Sequence, residues 1–363
     1  MATLTLEQTS LDTTGKQRFY RPELDVLRFG AFLLVLMHHT ISNQGHGRVV
    51  LAIREAGSYG VSVFFLLSAY LITELLLREK EATGTVSLRR FYIRRILRIW
   101  PLYFGFLAIA FVTGHLVHRP ETYFSALALA GALLLVGNFC AAHGLALGIA
   151  GALWSISVEE QFYLLWPFLA RVLTRQRVVV AGLGLWAASQ IVTTILIRKG
   201  VPYYPNLWLS SIPQVQYFAL GMMLIGLRPV QIGPAFRTAL AGAGLLTLFL
   251  AVDMAGPYLV FPVAGIGAAL IFSAFLGASL PAIGPLQYLG KISYGLSVFH
   301  ESCLLLTHIA SHRIPFVRLH PWLLVYTVPL PLTIAIASLS YRYFETPFLR
   351  LKERFETVHS RPA

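Results

Sequence analysis

Arg28 and His39 are 11 positions apart in one apolar segment, which runs from Tyr20-Arg21-Pro22-Glu23-Leu24-Asp25-Val26-Leu27-Arg28 to His38-His39-Thr40. At about 100° per residue they fall within roughly 20° of one another on a helix, and roughly 16 Å apart along its axis. One face would then carry a cation at one depth and a titratable imidazole at another. Ionisable groups within a membrane span are costly and usually face a polar interior. A structural alternative makes Arg28 a snorkelling anchor and leaves both histidines at the far interface. It accounts for either residue alone better than for the pair, so the shared face favours function.

Three more constellations have side chains suited to chemistry. In Phe91-Tyr92-Ile93-Arg94-Arg95-Ile96-Leu97-Arg98, Arg95 and Arg98 share a helix face, with Arg94 and Arg98 on a neighbouring one. Guanidinium forks suit phosphate, although the same block also serves as an anchor to anionic lipid. In Trp154-Ser155-Ile156-Ser157-Val158-Glu159-Glu160-Gln161, two carboxylates open an apolar run. Helix capping by a serine explains one acid, but less well two acids and Gln161 among aromatics. A carboxylate that orients His39 is the catalytic use. His300 and Glu301, after Tyr294, fall within a span, where a satisfied core histidine is the commoner explanation. Glu345, in Tyr343-Phe344-Glu345-Thr346-Pro347, is within the reach of an arginine of the basic block, and such a pair would make its role structural. No GxxxxGK[ST], HExxH, GxSxG or Cys/His metal spacing occurs, so no metal is expected.

These residues need a membrane scaffold to position them. The chain is 56% hydrophobic and only 12% charged, with mean hydropathy +0.67, against about 25% charged residues in soluble domains. The net charge of +13 belongs first to positive-inside loops, and nucleic acid is a poor second partner. Cys140 and Cys303 read as buried free thiols. The polar start has no cleavage site, so the first span is expected to stay. Eleven apolar stretches follow: Leu24–Ile41, Ser58–Leu77, Leu97–His115, Thr122–Cys140, Trp154–Ala170, Val178–Ile197, Ile212–Leu227, Phe236–Val252, Pro257–Ala278, Ile292–Ala310 and Pro321–Phe344. Their lengths and lack of alternation predict an all-α, polytopic membrane helix bundle.

Basic residues set the orientation. Lys16, Arg18 and Arg21, the dense cluster from Arg78 to Arg98, Arg171, Arg175 and Arg177, and Arg350, Lys352 and Arg354 are all expected on the cytoplasmic side. Arg198 and Lys199, placed outside, fit less well. The Ser42–Gly57 segment becomes an outer loop, and a piece of Thr122–Leu153 must be re-entrant or broken. About ten transmembrane helices result, with N- and C-termini cytoplasmic. Residues 1–17 and 353–363 are polar tails around a single membrane domain, 18–352. Arg28 lies toward the cytoplasm and His39 toward the exterior, which suits a donor on one side and an acceptor on the other.

Tyr20–Arg28 with His39, Gly60–Ile72, Phe91–Tyr103, Trp154–Pro167, Gly290–His300 and Tyr343–Pro347 together resemble the acyltransferase 3 family of integral membrane acyltransferases. Its members O-acylate O-antigen, exopolysaccharide or macrolides, often with acetyl from acetyl-CoA. The resemblance covers roughly Arg18 to Lys352. It implies that His39 is the essential histidine, that Arg95 and Arg98 match the family's Arg-x-x-Arg, and that Glu159 and Glu160 match its acidic pair. Ala69 and Val26 stand where the family usually has glycine. No hydrolase-like C-terminal domain, of the kind some members append, is expected.

The expected reaction moves an acyl group, acetyl first, from cytoplasmic acyl-CoA to a hydroxyl of a carbohydrate, glycolipid or macrolide-like acceptor. Catalysis falls to His39, as base or acyl carrier, with Glu159 and Glu160. The donor falls to Arg28, Arg94, Arg95 and Arg98. Support falls to His38, Ser157, Gln161, Tyr294, His300 and Glu345. The expected site is the bacterial cytoplasmic membrane, with membrane lipid as a further partner and no nucleic acid. The rival is a transporter or flippase for a glycan or lipid, against which the absence of an inverted hydropathy repeat counts mildly. A scaffold subunit would leave Arg28, His39, Glu159 and His300 without a purpose.

Overall fold

The computed structural model describes residues 19–41, 47–117, 124–145, 147–227, 232–253, 256–279, 284–313 and 326–358. The tail expected at 1–17, the last residues of the tail at 353–363, and the first residues of the stretches expected from Thr122 and Pro321 lie outside them.

Every regular element among the described residues is helical. In chain order the α-helices are α1 (Pro22–Thr40), α2 (Arg48–Ser58), α3 (Gly60–Thr83), α4 (Leu88–Val117), α5 (Ala126–Leu133), α6 (Gly137–Ala142), α7 (Leu153–Val172), α8 (Arg175–Arg198), α9 (Ser211–Leu224), α10 (Pro234–Asp253), α11 (Gly256–Phe275), α12 (Gly284–Lys291), α13 (Ser293–Arg313), α14 (Pro329–Ser340) and α15 (Thr346–Glu353). Five helical runs are long and apolar enough to cross a membrane: Arg48–Thr83, Leu88–Val117, Arg175–Arg198, Pro234–Val252 and Gly256–Phe275. The protein is an integral membrane protein. Among the described residues no other helix meets that measure, and α1 itself has Glu23, Asp25 and Arg28 in its first two turns.

Local chemistry explains several boundaries. Pro22 opens α1, where its missing N–H leaves no helical bond unmade. Ser125, Thr174 and Ser210 cap α5, α8 and α9 by accepting from Ala128, Arg177 and Ile212 N–H. The segment expected as an outer loop at Ser42–Gly57 instead contains α2, which continues into α3. Its pattern is amphipathic, with Val49, Val50 and Ile53 exposed and Ala52 buried. A hydropathy scan passes over such a helix because its average is polar.

The expectation of a broken piece within Thr122–Leu153 matches the helices found there, α5, α6 and a single 3₁₀ turn at Gly148–Ala150. Leu135 turns the chain between α5 and α6 with φ 59°. Gln161 of α7 braces this turn: its Nε2 donates to Leu135 O (3.0 Å) and Asn138 Oδ1 (2.9 Å), and its Oε1 accepts from Ser211 Oγ (2.5 Å). Asn138 donates in turn to Leu209 O at 3.1 Å. A non-helical backbone buried in a membrane protein needs such internal partners.

α1 is the central strut. It packs against α2, α3, α12 and α13, and Leu24 and Phe32 are wholly buried. At the α1–α12 crossing, Gly290 lies so near the Asp25 carbonyl that any Cβ there would overlap it. That contact holds Asp25, and through it Arg28, at a set depth. A π-helical segment, Tyr341–Glu345, joins α14 to α15 and buries Glu345.

Candidate active site

A cavity of about 220 Å³ is lined by both Arg21 and His39. Along α1 that span rises roughly 27 Å, close to the thickness of a bilayer core. Arg28, Arg94, Arg95, Arg98, Tyr20 and Lys352 line it toward the Arg21 end. Val35, Val61, Phe64, Phe65, Leu71 and Ile72 are among its apolar walls, and His39, His300, Glu301 and Ala152 line the other end.

At the His39 end, His39 Nε2 lies 3.8 Å from Glu301 Oε1. Glu301 Oε2 accepts the Ala152 N–H at 3.0 Å, at the start of α7. A Cβ on Gly151 would come within 2.5 Å of that same oxygen, so glycine there makes room for the carboxylate. The His300 ring stands edge-on to His39, centroids 5.1 Å apart, and its Nδ1 lies 2.8 Å from Ser297 O. The Nδ1–H donates there, which leaves Nε2 as the lone-pair nitrogen. The His39 side chain is 36% exposed and that of Glu301 22%, so the pair is open to a ligand.

At the other end, several cations already have partners. Arg28 Nη1 donates to Asp25 Oδ1 at 2.9 Å, and Tyr20 donates to Asp25 Oδ2. Arg94 donates to Glu79 Oε2 at 2.7 Å and to Phe355 O at 2.9 Å. Arg78 and Arg175 both bind Glu74. Lys352 pairs with Glu356 at 2.8 Å. Arg95 and Arg98 make no ion pair among the described residues. Arg95 lies over the Tyr163 and Phe91 rings at 5.2 and 5.7 Å, and its Nε is buried without an acceptor. Of the four arginines expected at the donor, these two have the most capacity left for an incoming anion.

The remaining candidates separate on the same geometry. Glu159 lines the cavity and accepts from Ser68 Oγ at 2.7 Å, whereas Glu160 accepts from Trp100 Nε1 at 3.0 Å and does not line it. The expected role of Glu159 or Glu160 as the carboxylate behind His39 is therefore corrected: Glu301 sits there, and both acids bond elsewhere. His38 also turns from the cavity, its Nδ1 lying 3.0 Å from Arg54 O. Ser157 bonds within its own helix to Leu153 O, and Gln161 braces the broken segment. Tyr294 lines the cavity and donates to Ile99 O at 2.7 Å. Glu345 accepts from Ser340 Oγ at 3.0 Å and makes no ion pair with an arginine among the described residues, a second correction.

Sequence reasoning underrated Glu301, although its place beside His300 was visible. It missed Ser68, because nothing in an apolar helix marks a serine as facing a carboxylate on another, and it did not single out Tyr163, four residues after Glu159 on the same helix. Asp25 was legible, since it stands three residues before Arg28, the spacing of a helical ion pair.

The acyltransferase-domain pattern matches residues 21–342, and the chain belongs to that acyltransferase family. It is 27% identical to the peptidoglycan O-acetyltransferase OatA of Listeria monocytogenes, over 92% of this chain and 57% of that protein. It is also 27% identical to the O-acetyltransferase OatA of Staphylococcus aureus, over 90% of this chain and 57% of that one. The chain spans less than two thirds of the length of the curated relatives it matches. No solved structure matches it.

Proposed function

We propose that the protein is a membrane O-acyltransferase that carries an acyl group, acetyl first, from a cytoplasmic acyl-CoA to a carbohydrate hydroxyl on the far side. The observation that carries this reading is the one cavity with uncommitted arginines at one end and His39 with Glu301 at the other. Its apolar middle suits an extended arm that ends in a thioester, with the anionic head of the donor at Arg95 and Arg98. The positive-inside argument assigns the arginine end to the cytoplasm, with about ten crossings and both termini inside, in a bacterial cytoplasmic membrane. The relatives' names favour a cell-wall glycan such as peptidoglycan as acceptor class.

In this mechanism His39 Nε2 takes the proton of the acceptor hydroxyl as its oxygen attacks the thioester carbonyl. The C–S bond then breaks, and the leaving thiolate takes up a proton. Glu301 stabilises the imidazolium, and its bond to the Ala152 N–H keeps it from swinging away. A positioned base supplies about 10²–10⁴-fold in rate, and holding donor and acceptor together supplies more. The test uses purified protein, labelled acetyl-CoA and a glycan acceptor, comparing His39→Ala with His38→Ala. His39→Ala should lose at least about 10²-fold and His38→Ala should stay near wild type. Full activity in His39→Ala would remove the base, and no donor turnover by wild type would favour the transporter reading.

A further inference from the structure

The groups around His39 are also a metal-ligand set. Nitrogen of His39, nitrogen of His300 and a carboxylate oxygen of Glu301 all lie within 4.8 Å of one another. Two histidines and one carboxylate, with a fourth position open to a cavity, are the ligands of many zinc sites. Zinc bonds of about 2.0–2.2 Å put tetrahedral donors roughly 3.4 Å apart, so side-chain rotations of about an ångström close the site.

Three further observations point to a ligand rather than to a chance cluster. The His300 side chain is buried, with its residue 2% exposed, and its Nε2 has no hydrogen-bond partner. Its Nδ1 is held by Ser297 O, the outer contact that fixes a ligating imidazole with the opposite nitrogen free. Glu301 is held likewise by the Ala152 N–H, and Gly151 leaves space for it. Two neutral imidazoles favour zinc-class ions over magnesium or calcium, which seek oxygen. Spacing along the chain could not show this set, because His39 comes from α1 and the other two from α13.

We infer that His39, His300 and Glu301 bind one zinc-class divalent cation, and that the bound cation blocks acyl transfer. The inhibitory half rests on the proposed role of His39, since a nitrogen bound to metal cannot accept the hydroxyl proton. The binding half does not.

The experiment uses the full chain, purified in detergent, freed of any histidine tag and stripped with chelator. Zinc bound per chain is counted after equilibrium dialysis, and cobalt is added as a spectroscopic probe of tetrahedral geometry. Wild type should bind one equivalent and give a tetrahedral cobalt spectrum. His300→Ala and Glu301→Gln should each weaken binding at least tenfold. Glu301→Gln keeps the side-chain volume and an oxygen for Ala152, so it tests the ligand without removing the fold. Gly151→Ala, which displaces the carboxylate, should weaken binding by about 10–100-fold, and His38→Ala should leave it unchanged. Zinc should slow acetyl transfer in step with occupancy, and chelator should restore it. No saturable binding by folded wild type, or wild-type binding in both His300→Ala and Glu301→Gln, overturns the site. Saturating zinc without effect on transfer overturns the inhibitory half. A fully active His39→Ala would sink the base mechanism instead, while the zinc count would still stand or fall by itself.

Discussion

Replacing Glu301 by glutamine removes one charge from the site and little else. The amide keeps an oxygen for the Ala152 N–H, now 3.0 Å from Oε2, and its volume fits the space beside Gly151. What is lost is the attraction between the carboxylate and the imidazolium that forms on His39, 3.8 Å away. At an effective dielectric constant of about 20, two unit charges at this distance interact by about 4 kcal/mol. With the two side chains 36% and 22% exposed, solvent screens the pair, and roughly half of that remains. About 2–3 kcal/mol corresponds to a fall in kcat of roughly 10²-fold. The donor KM should change by less than about threefold, because Arg95 and Arg98 stand on α4, toward the end of the cavity where Arg28 lies about three helical turns from His39 along α1. Steady-state release of free thiol from acetyl-CoA, with donor and acceptor each varied, separates the two constants. A Glu301→Gln protein with kcat within threefold of wild type, while His39→Ala is inactive, would refute the reasoning. So would a loss that fell entirely on the donor KM.

The two classes of arginine should also separate by assay. Arg95→Lys and Arg98→Lys keep the charge but lose the fork, and each should raise the donor KM by about tenfold with kcat little changed. Arg94→Ala should act on stability instead: it leaves Glu79, which is 3% exposed, with the Ser87 N–H but without its cation, at a cost of about 3 kcal/mol. An unchanged unfolding midpoint in detergent would contradict that pairing. Gln161→Ala leaves Leu135 O, Asn138 and Ser211 without their shared partner, and about 2–4 kcal/mol of stability should be lost. Its folded fraction should keep a near-normal donor KM, because Gln161 does not line the cavity.

Legibility followed the range of each interaction. The Arg28–His39 face was readable because helix periodicity relates residues within one element, and both indeed line the same cavity. The break within Thr122–Leu153 was expected from the basic loops on either side, and the chain there runs as α5, α6 and a 3₁₀ turn. The amphipathic α2 was hidden because its apolar and polar residues average out. The acidic pair was assigned to His39 from depth alone, and depth cannot tell which way around a bundle a helix faces. Ser68 and Trp100 proved to be the partners of Glu159 and Glu160. The basic block looked uniform in sequence, yet buried Glu74 and Glu79 occupy Arg78, Arg175 and Arg94, and Arg95 and Arg98 have no such pairing among the described residues.

By itself the sequence determined an all-helical membrane protein with the motif order of the acyltransferase family, because composition, span length and motif order are properties of the chain read locally. It also determined that a cation and an imidazole stand at different depths on one helix. The tertiary structure alone decided which groups meet across helices: Glu301 of α13 behind His39 of α1, Ser68 behind Glu159, and one cavity joining the arginines to the histidines. The physical reason is rotational. Hydropathy fixes a helix's place along the membrane normal, whereas its rotation and neighbours come from side-chain packing, as where Gly290 lets α12 close onto the Asp25 carbonyl.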